Sequence, residues 1–337
     1  MNITPFRFNP LNTTFKNTQT RNNHKTIYSN IYDTITFTRN SKDISEISKK
    51  HNTPVKIVFT DIDGTIADKG VVPKSAKEAL FELKKEGIPI VITTGRVFAG
   101  AKKKIKQMGL NLSDKDFVIT QQGTVIRNGN GEILYKKTIE LEDALAVIRT
   151  AENYTKDTKD RNFNLIVYID GIPYIKTNDK SIGILEALYR TDSFYELIQQ
   201  KGLPTKMILY KKDSKKPSDM NEMKEYFQKA LEGHNLNLFV TKEDFCEITN
   251  GETSKGAAAS KVAQITGVGL ENAACLGDAE NDLALMEIIN EAGGVSIAMG
   301  NAQTSVKDMA KFITGKVSED GYKNAIEAIL ENNSRLG

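Results

Sequence analysis

Two kinds of stretch alternate along the chain from Pro54 onward: short apolar runs and longer stretches with helical spacing. Val55–Phe59 is a short, mostly apolar run, whereas Ser75–Glu86 carries apolar residues at 76, 79, 80 and 83, the spacing of one helix face. Gly87 ends this stretch, and the apolar run Ile88–Thr93 follows. A strand, a helix and a strand in this order predict a βαβ unit of a parallel α/β sheet.

The same alternation continues on both sides of a long central segment. The predicted elements are helix Val97–Met108 and strand Phe117–Thr120, and then helix Lys255–Thr266, strand Ala273–Leu276, helix Asp282–Asn290 and strand Val295–Met299. We therefore predict an α/β core with a parallel sheet, built from residues 53–125 and 242–337.

Residues 126–241 show a different pattern, dominated by hairpin signals. The segment IRNGNGEILYKK has N-G-N-G at its centre, and LIVYIDGIPYI alternates around Asp170-Gly171. A helix over Ile182–Gln200, a strand over Lys206–Tyr210 and a helix over Asp219–Leu231 are predicted next. Hairpins followed by helices predict an inserted α+β unit, the second domain of the chain.

Residues 1–52 are rich in Asn, Thr and Lys, with no acidic residue before Asp33. Such a composition is also found in organellar transit peptides, but the segment has little Arg and no clear amphipathic face. We expect a flexible or loosely docked N-terminal extension.

The overall composition limits the possible functions. A chain of 337 residues with 39% hydrophobic residues can bury a sizeable core and is expected to form two domains. A net charge of +3 gives no reason to expect nucleic acid or a membrane as partner. No apolar run approaches the ~18 residues of a membrane span, so a soluble protein is expected. Cys246 and Cys275 are predicted to be free, buried thiols of a reducing compartment such as the cytoplasm.

The first candidate for chemistry is the pair of carboxylates in DIDGT. Asp61 and Asp63 follow the strand Val55–Phe59 and are spaced by one residue, so both side chains leave the strand end in the same direction. Two like charges held close together repel unless a cation or a proton lies between them. Gly64 permits a tight turn, and Thr65 offers a hydroxyl beside backbone N–H groups. The motif indicates a metal site, although a solvated acidic turn has the same composition.

Two further motifs are suited to bind a phosphoryl group. Thr94-Gly95-Arg96 places a hydroxyl and backbone N–H groups at a strand-to-helix junction, although an ordinary helix cap explains it as well. Lys255 opens a predicted helix, the end at which a cation is disfavoured by the helix dipole. This position suggests a nearby anion, although a solvated lysine is an equal alternative.

The motif GDAEND is the strongest partner of the acidic pair. Asp278, Asn281 and Asp282 follow a predicted strand at spacings of three and four, so they share one face of a turn or first helical turn. Oxygen ligands at a strand end, completed by a substrate phosphate, are typical of Mg²⁺. Acidic residues that favour the start of a helix are the alternative.

In this order, DIDGT, TTGR, the helix-opening Lys255 and GDAEND resemble the four motifs of the haloacid dehalogenase-like (HAD) superfamily of phosphatases. The stretches SKGAAASKVAQITGV, GDAENDLALME, VSIAMGNAQTSVKDMAKFIT and EDGYKNAI are similar to its Cof-type branch. The resemblance implies a Rossmann-like core and a large α/β cap inserted between the second and third motifs, over residues 126–241.

The resemblance also implies roles for single residues. Asp61 would be the nucleophile and Asp63 the general acid and base; Thr94, Gly95 and Lys255 would bind phosphate. Mg²⁺ would be held by Asp61, Asp278 and the carbonyl of Asp63, with Asn281 and Asp282 in support. The implied substrate is a small phosphomonoester such as a sugar phosphate, a nucleotide or a cofactor phosphate, hydrolysed by a monomer or small homo-oligomer through an aspartyl-phosphate.

One position departs from the family pattern. Members often have Ser/Thr-Asn-Gly after the third core strand, whereas this chain has Thr120-Gln121-Gln122-Gly123 there. We expect the longer Gln122 to reach differently into the substrate space. Two alternative functions remain open: a sugar phosphomutase or phosphotransferase, which shares the nucleophile, and a regulatory protein that binds a phosphorylated metabolite without turnover. The presence of five residues argues against the second function: Asp61, Asp63, Thr94, Lys255 and Asp278.

Overall fold

The structure, a computed structural model, describes residues 42–176, 188–212 and 217–337. In these ranges the strands are β1 Ile57–Asp61, β2 Ile90–Thr93, β3 Phe117–Thr120, β4 Val125–Asn128, β5 Ile133–Lys136, β6 Phe163–Ile169, β7 Ile172–Ile175, β8 Tyr189–Arg190, β9 Lys206–Lys211, β10 Leu236–Lys242, β11 Phe245–Asn250, β12 Ala273–Gly277, β13 Val295–Ala298 and β14 Phe312–Ile313.

The helices pack against two sheets. In the same described ranges they are α1 Ile47–Lys50, α2 Lys74–Lys85, α3 Phe98–Met108, α4 Leu141–Thr158, α5 Phe194–Lys201, α6 Pro217–Ala230, α7 Lys255–Thr266, α8 Leu283–Glu291, α9 Thr304–Met309 and α10 Gly321–Leu336. None of these helices combines the length and the apolar character needed to cross a bilayer.

The first sheet, here called the large sheet, has eight strands in the order β14-β13-β12-β1-β2-β3-β4-β5. The strands from β14 to β3 run parallel, and β4 and β5 are added antiparallel at one edge. Strand β1 lies between β12 and β2, and all five of its residues are buried. Helices cover both faces of a parallel sheet, which explains why its central strands are almost wholly apolar.

The second sheet, here called the small sheet, has six strands in the order β10-β11-β9-β6-β7-β8. Its strand pairs are antiparallel except for β7 and β8. Helices α4 and α6 contact one face of it. The apolar residues of the opposite face, including Tyr168, Ile208 and Tyr210, form one buried cluster with Val97, the N-cap of α3 beside the large sheet.

The predicted α/β class with a parallel sheet is confirmed, and most predicted elements occur within about two residues of their predicted bounds. Both predicted hairpins are present, since β4 pairs with β5 and β6 pairs with β7 around Asp170 and Gly171. Both of these turn residues have positive φ, as expected for a two-residue hairpin turn. Helices α1, α4, α9 and α10 were not predicted.

The two sheets do not divide the chain at the predicted domain boundaries, which lie between residues 125 and 126 and between residues 241 and 242. Strands β4 and β5 extend the large sheet, whereas β10 and β11 belong to the small sheet. The division into a core and an inserted cap stays a proposal, and sheet membership places the cap between the end of β5 and the end of β11. The extension predicted for residues 1–52 lies outside the described residues up to position 41; from residue 42 the chain packs beside β14 and α10.

The helix predicted over Ile182–Gln200 is wrong in its described N-terminal part. Residues 182–187 lie outside the described residues, and Tyr189–Arg190 is a short strand that pairs with β7. The helix begins only at Phe194, because the Ser193 hydroxyl accepts a hydrogen bond from the Glu196 N–H at 3.3 Å.

Candidate active site

The residues predicted to carry chemistry follow the carboxyl ends of three neighbouring strands. Strand β1 ends at Asp61, β2 leads into Thr94, and β12 leads into Asp278. Because β12, β1 and β2 are adjacent and parallel, these residues meet at one edge of the large sheet. Helix α7, which starts at Lys255, begins at the same edge.

Lys255 joins two carboxylates in the buried centre of the site. Its Nζ donates to Asp61 Oδ1 at 2.6 Å and to Asp282 Oδ1 at 2.7 Å. The Lys255 side chain is fully buried, and the two carboxylates are almost completely buried. The predicted anion near this lysine is therefore provided by the protein itself.

Asp282 holds the turn that follows β12. Its Oδ2 accepts hydrogen bonds from the backbone N–H of Asp278 at 3.0 Å and of Ala279 at 3.2 Å. Since Oδ1 is bound to Lys255, both carboxylate oxygens have partners within the protein. Asp282 thus connects the position of Asp278 to the position of Lys255.

Asp278 lies against the turn of the DIDGT motif. Its Oδ1 accepts a hydrogen bond from the Thr65 hydroxyl at 3.1 Å. A Cβ atom on Gly64 would lie 2.1 Å from Asp278 Oδ2, and Gly64 has a φ of +87°. Only glycine tolerates both this approach and this backbone conformation, so the closeness of the two loops depends on it.

Burial and crowding shift the ionisation of these groups. Burial raises the pKa of Asp61 to about 8; the Lys255 ammonium opposes this shift, and the carboxylates of Asp282 and Asp278 add to it. Burial, followed by the charge of Asp282, raises the pKa of Asp278 to about 7. Burial alone would lower the pKa of Lys255, but Asp282 and Asp61 outweigh burial and raise it. One ammonium group does not fully compensate three carboxylates.

A hard divalent cation fits this set of donors. Among the described residues, Asp61, Asp278 and Asp282 can each direct a carboxylate oxygen so that all three atoms lie within 4.8 Å of one another. Carboxylate oxygens are the ligands that Mg²⁺ prefers. Because both oxygens of Asp282 are already bound, the geometry favours Asp61 and Asp278 as side-chain ligands and Asp282 as their support.

Asp63 is oriented differently from the other acids. Its carboxylate accepts two hydrogen bonds from Arg96, from Nε at 2.6 Å and from the terminal nitrogen at 2.8 Å. The side chain of Asp63 is about half exposed, and it does not belong to the converging carboxylates. The expected closeness of the Asp61 and Asp63 side chains is thus replaced by an ion pair between DIDGT and TTGR. The role of Asp63 as general acid and base stays a prediction.

Residues 94–96, here called the β2 loop, lie beneath Gln122. The Thr94 hydroxyl is buried and accepts a hydrogen bond from the Arg96 N–H at 3.2 Å. A Cβ atom on Gly95 would lie 2.4 Å from Gln122 Nε2, so the amide of Gln122 rests directly on this glycine. The phosphate-binding roles of Thr94, Gly95 and Lys255 stay predictions.

Gln122 connects the large sheet to the small one. Its Oε1 accepts a hydrogen bond from Asn281 Nδ2 at 3.0 Å, and its Nε2 donates to Glu247 Oε2 at 3.3 Å. Asn281 thus supports Gln122 through its amide, while its own Oδ1 is buried and has no hydrogen-bond partner among the described residues.

Two more contacts join the small sheet to the site. The Thr205 hydroxyl donates to Gln121 Oε1 at 2.6 Å, and Lys206 Nζ donates to the Gly95 carbonyl at 3.0 Å. The sequence analysis missed Lys206 and Glu247. The sequence does mark them, because each is a charged residue in a mostly apolar strand: Lys206 in KMILY and Glu247 in FCEIT.

The chain is similar in sequence to known hydrolases. The family described as haloacid dehalogenase-like hydrolase matches residues 58–326. Phosphatase YwpJ of Bacillus subtilis is 24% identical over 302 residues, covering 82% of this chain and 100% of that protein. The 5-amino-6-(5-phospho-D-ribitylamino)uracil phosphatase YcsE of the same organism is 26% identical over 281 residues, covering 82% of this chain and 97% of its own length.

A solved structure shows the same fold. A haloacid dehalogenase-like hydrolase from Bacteroides thetaiotaomicron superimposes with a TM-score of 0.68 at 22% identity, covering 82% of this chain and 99% of that one.

Proposed function

This chain belongs to the haloacid dehalogenase-like hydrolases, and we propose that it is an Mg²⁺-dependent phosphatase that hydrolyses small soluble phosphomonoesters through an aspartyl-phosphate. The phosphatase reaction itself follows from the family and from relatives named as phosphatases. One of those relatives is named for a phosphorylated ribitylaminouracil, which supports a small metabolite as substrate.

The observation that carries the proposal is the pairing of Asp61 with Lys255 beside Asp278. Phosphoryl transfer needs positioning and charge neutralisation more than covalent help from the protein. Lys255 fixes one oxygen of the Asp61 carboxylate. The second oxygen would be the one that attacks a phosphate bound at this strand edge.

Asp61 and Asp278 would hold Mg²⁺ through their side chains and Asp63 through its carbonyl. When bound, the ion would offset the negative charges of the carboxylates and of the substrate phosphate. The raised pKa values of Asp61 and Asp278 support this role, because they indicate negative charge that the protein alone leaves uncompensated.

The first chemical step would be attack by a carboxylate oxygen of Asp61 on phosphorus. The bond between Asp61 and phosphorus forms while the ester bond breaks, and Asp63 gives its proton to the leaving alkoxide. Asp63 must leave Arg96 for this step, so binding of the substrate would compete with that ion pair. The Thr94 hydroxyl and the Gly95 N–H would bind the equatorial oxygens, since the N–H groups of Thr94 and Arg96 already donate within the protein.

In the second step a water molecule would attack the same phosphorus. Asp63 accepts the proton of the water, the bond from phosphorus to Asp61 breaks, and inorganic phosphate leaves. Asp63 is then protonated again, ready for the next substrate.

The test measures phosphate release from an aryl phosphate with and without Mg²⁺, for the wild type, Asp61→Asn and Asp63→Asn. We expect Mg²⁺-dependent release in the wild type, loss to background in Asp61→Asn, and a decrease of about 10²- to 10⁴-fold in Asp63→Asn. Asp68→Asn, an exposed acid of the same loop, is the control and should remain near wild type.

Release that is independent of Asp61 would refute the proposal. If no net phosphate is released but a phosphoryl group is transferred between sugar hydroxyls in the presence of a bisphosphate, the chain is a phosphomutase instead.

A further inference from the structure

The small sheet directs a charged pair toward the active site. In the register of the sheet, Lys206 lies opposite Tyr168, and Glu247 lies opposite Ile208, two residues along β9 from Lys206. Alternation along the strands therefore places Lys206 and Glu247 on one face, the apolar face that packs against Val97.

Both charges are almost completely buried. The exposed fraction is 3% for Lys206 and 8% for Glu247, and Lys206 Nζ lies 3.5 Å from Glu247 Oε2. The ammonium also lies 4.9 Å from the centre of the Tyr168 ring. Burial of an ion pair costs desolvation energy, and an apolar pair of similar volume is often at least as stable. Packing alone thus gives no reason for these two charges.

Their position relative to the β2 loop suggests a reason. Lys206 donates to the Gly95 carbonyl, while Glu247 accepts a hydrogen bond from Gln122, whose amide rests on Gly95. If phosphate binds at this loop and is attacked by Asp61, the leaving group must extend away from β1, toward the face of the small sheet. Lys206 and Glu247 would then lie beyond the phosphate, next to the loop that binds it.

We propose that Lys206 and Glu247 form a leaving-group subsite that selects phosphomonoesters whose leaving group is uncharged and carries hydroxyl groups. This inference rests on the proposed phosphatase function. A hydroxyl group donates to the Glu247 carboxylate and accepts from the Lys206 ammonium without disturbing the charge balance of the pair. A carboxylate on the leaving group is repelled by Glu247, and an ammonium group is repelled by Lys206.

The experiment uses three phosphomonoesters of nearly equal size whose leaving groups differ in charge: 2-phosphoglycolate, 2-hydroxyethyl phosphate and phosphoethanolamine. Their leaving groups carry a carboxylate, a hydroxyl and an ammonium group. For the wild type, kcat/KM should be about tenfold higher for the hydroxyl compound than for either charged compound.

Two variants should change this preference in opposite directions. Glu247→Gln leaves the Lys206 charge unpaired, so kcat/KM for 2-phosphoglycolate should rise about tenfold relative to the hydroxyl compound. Lys206→Gln leaves Glu247 unpaired, so phosphoethanolamine should gain by a similar factor. The ratio between two substrates of one variant does not depend on the fraction of folded enzyme, so partial misfolding does not obscure the result.

A surface ion pair of the inserted unit provides the matched control. Lys176 Nζ lies 3.1 Å from Glu152 Oε1, and both side chains are partly exposed. Glu152→Gln and Lys176→Gln make the same charge changes and should leave all ratios within about twofold of the wild type.

Ratios that stay within about twofold in Glu247→Gln and Lys206→Gln would overturn the subsite while leaving the phosphatase function intact. Absence of phosphate release from the aryl phosphate and from all three probes would overturn both proposals. These two failures are therefore distinguishable.

Discussion

At the scale of single residues, Lys255 partly offsets the negative charge of the buried carboxylates in the site. It is the ammonium group that lies between Asp61 and Asp282, and it has no contact with solvent. Removal of one member of a buried ion pair leaves an uncompensated charge, which is far more costly than the loss of a surface pair.

Lys255→Met should lower the free energy of unfolding by about 3 kcal/mol at pH 8 in the absence of Mg²⁺. The loss should be smaller at pH 5, because the unpaired carboxylates can then take up protons. Urea denaturation at both pH values measures this. Lys74→Met removes an exposed lysine that is also paired with a glutamate, and should cost less than about 0.5 kcal/mol. Equal losses at both pH values would contradict the electrostatic explanation.

Gly64 tests the contact between the DIDGT turn and Asp278. In Gly64→Ala the new methyl group would collide with Asp278 Oδ2, so we expect at least about a tenfold loss of Mg²⁺ affinity in addition to backbone strain of about 1 kcal/mol. Gly87→Ala is the matched control, because Gly87 also has a positive φ and a Cβ there would meet no atom of the described part of the chain within 4 Å.

Calorimetric titration with Mg²⁺ separates the two effects. Both variants should lose similar stability from strain, but only Gly64→Ala should lose metal affinity. An unchanged affinity in Gly64→Ala would show that Asp278 is not a ligand.

At the scale of elements, the buried carboxylate of Asp116, which lies just before β3, connects β2, helix α2 and the loop after α3. Asp116 accepts hydrogen bonds from the Ile90 N–H at 3.0 Å, from the Ser113 N–H at 2.7 Å and from the Lys84 ammonium. Burial alone would raise its pKa, but the hydrogen bonds from Lys84, Ser113 and Ile90 outweigh burial and lower it.

Asp116→Asn should therefore destabilise the large sheet by about 2 kcal/mol at pH 7, because a neutral amide cannot replace a carboxylate that accepts several hydrogen bonds. A lowered pKa in the folded state means that the contribution of Asp116 is present above its ordinary pKa and is lost as the pH falls through the folded value. The difference in stability between the wild type and Asp116→Asn should shrink toward acid pH, as measured by thermal unfolding at several pH values. Asp114→Asn, two residues away and exposed, should change little at any pH.

The elements also show what local sequence can and cannot predict. The N-G-N-G segment predicts that β4 pairs with β5, but turn chemistry does not specify which sheet the hairpin joins. The hairpin joins the large sheet because β4 pairs with β3, and only a short turn separates these two strands along the chain. The predicted start of α5 was wrong, because the prediction gave more weight to the apolar spacing before Ser193 than to Ser193 as an N-cap residue.

At the scale of the whole molecule, the candidate site divides into a predictable and an unpredictable part. Asp61, Thr94 and Asp278 lie at one edge as expected, because they end or follow adjacent parallel strands of the large sheet. Lys255 reaches Asp61 from the start of α7. The contacts of Arg96, Lys206 and Glu247 depend on how the small sheet and the loops pack, and no local pattern carries that information.

The whole fold should respond to pH through the acidic site. The folded pKa values of Asp61 and Asp278, about 8 and about 7, lie above the ordinary value of 3.8. The folded state therefore binds more protons than the unfolded chain between those limits, and stability without metal should fall as the pH rises from about 5 to about 8.

Mg²⁺ should reverse this trend, because it binds the ionised carboxylates of the folded state. We expect the increase in Tm caused by Mg²⁺ to be larger at pH 8 than at pH 6, as measured by differential scanning calorimetry. Asp278→Asn should flatten the dependence on pH and reduce the effect of Mg²⁺. A wild-type Tm that rises between pH 6 and pH 8 without metal would contradict the prediction.

The position of β1 has a consequence for synthesis of the protein. Ile57 pairs with Ala273, a residue that leaves the ribosome only after the entire small sheet has been made. Until then the edge of β1 that later accepts β12 is unpaired, and an apolar strand with a free edge is a template for aggregation. Stability suffers little from so long a connection, because the entropy of loop closure grows slowly with length, but folding is delayed. Nascent chains that stop before β12 should therefore depend most on chaperones.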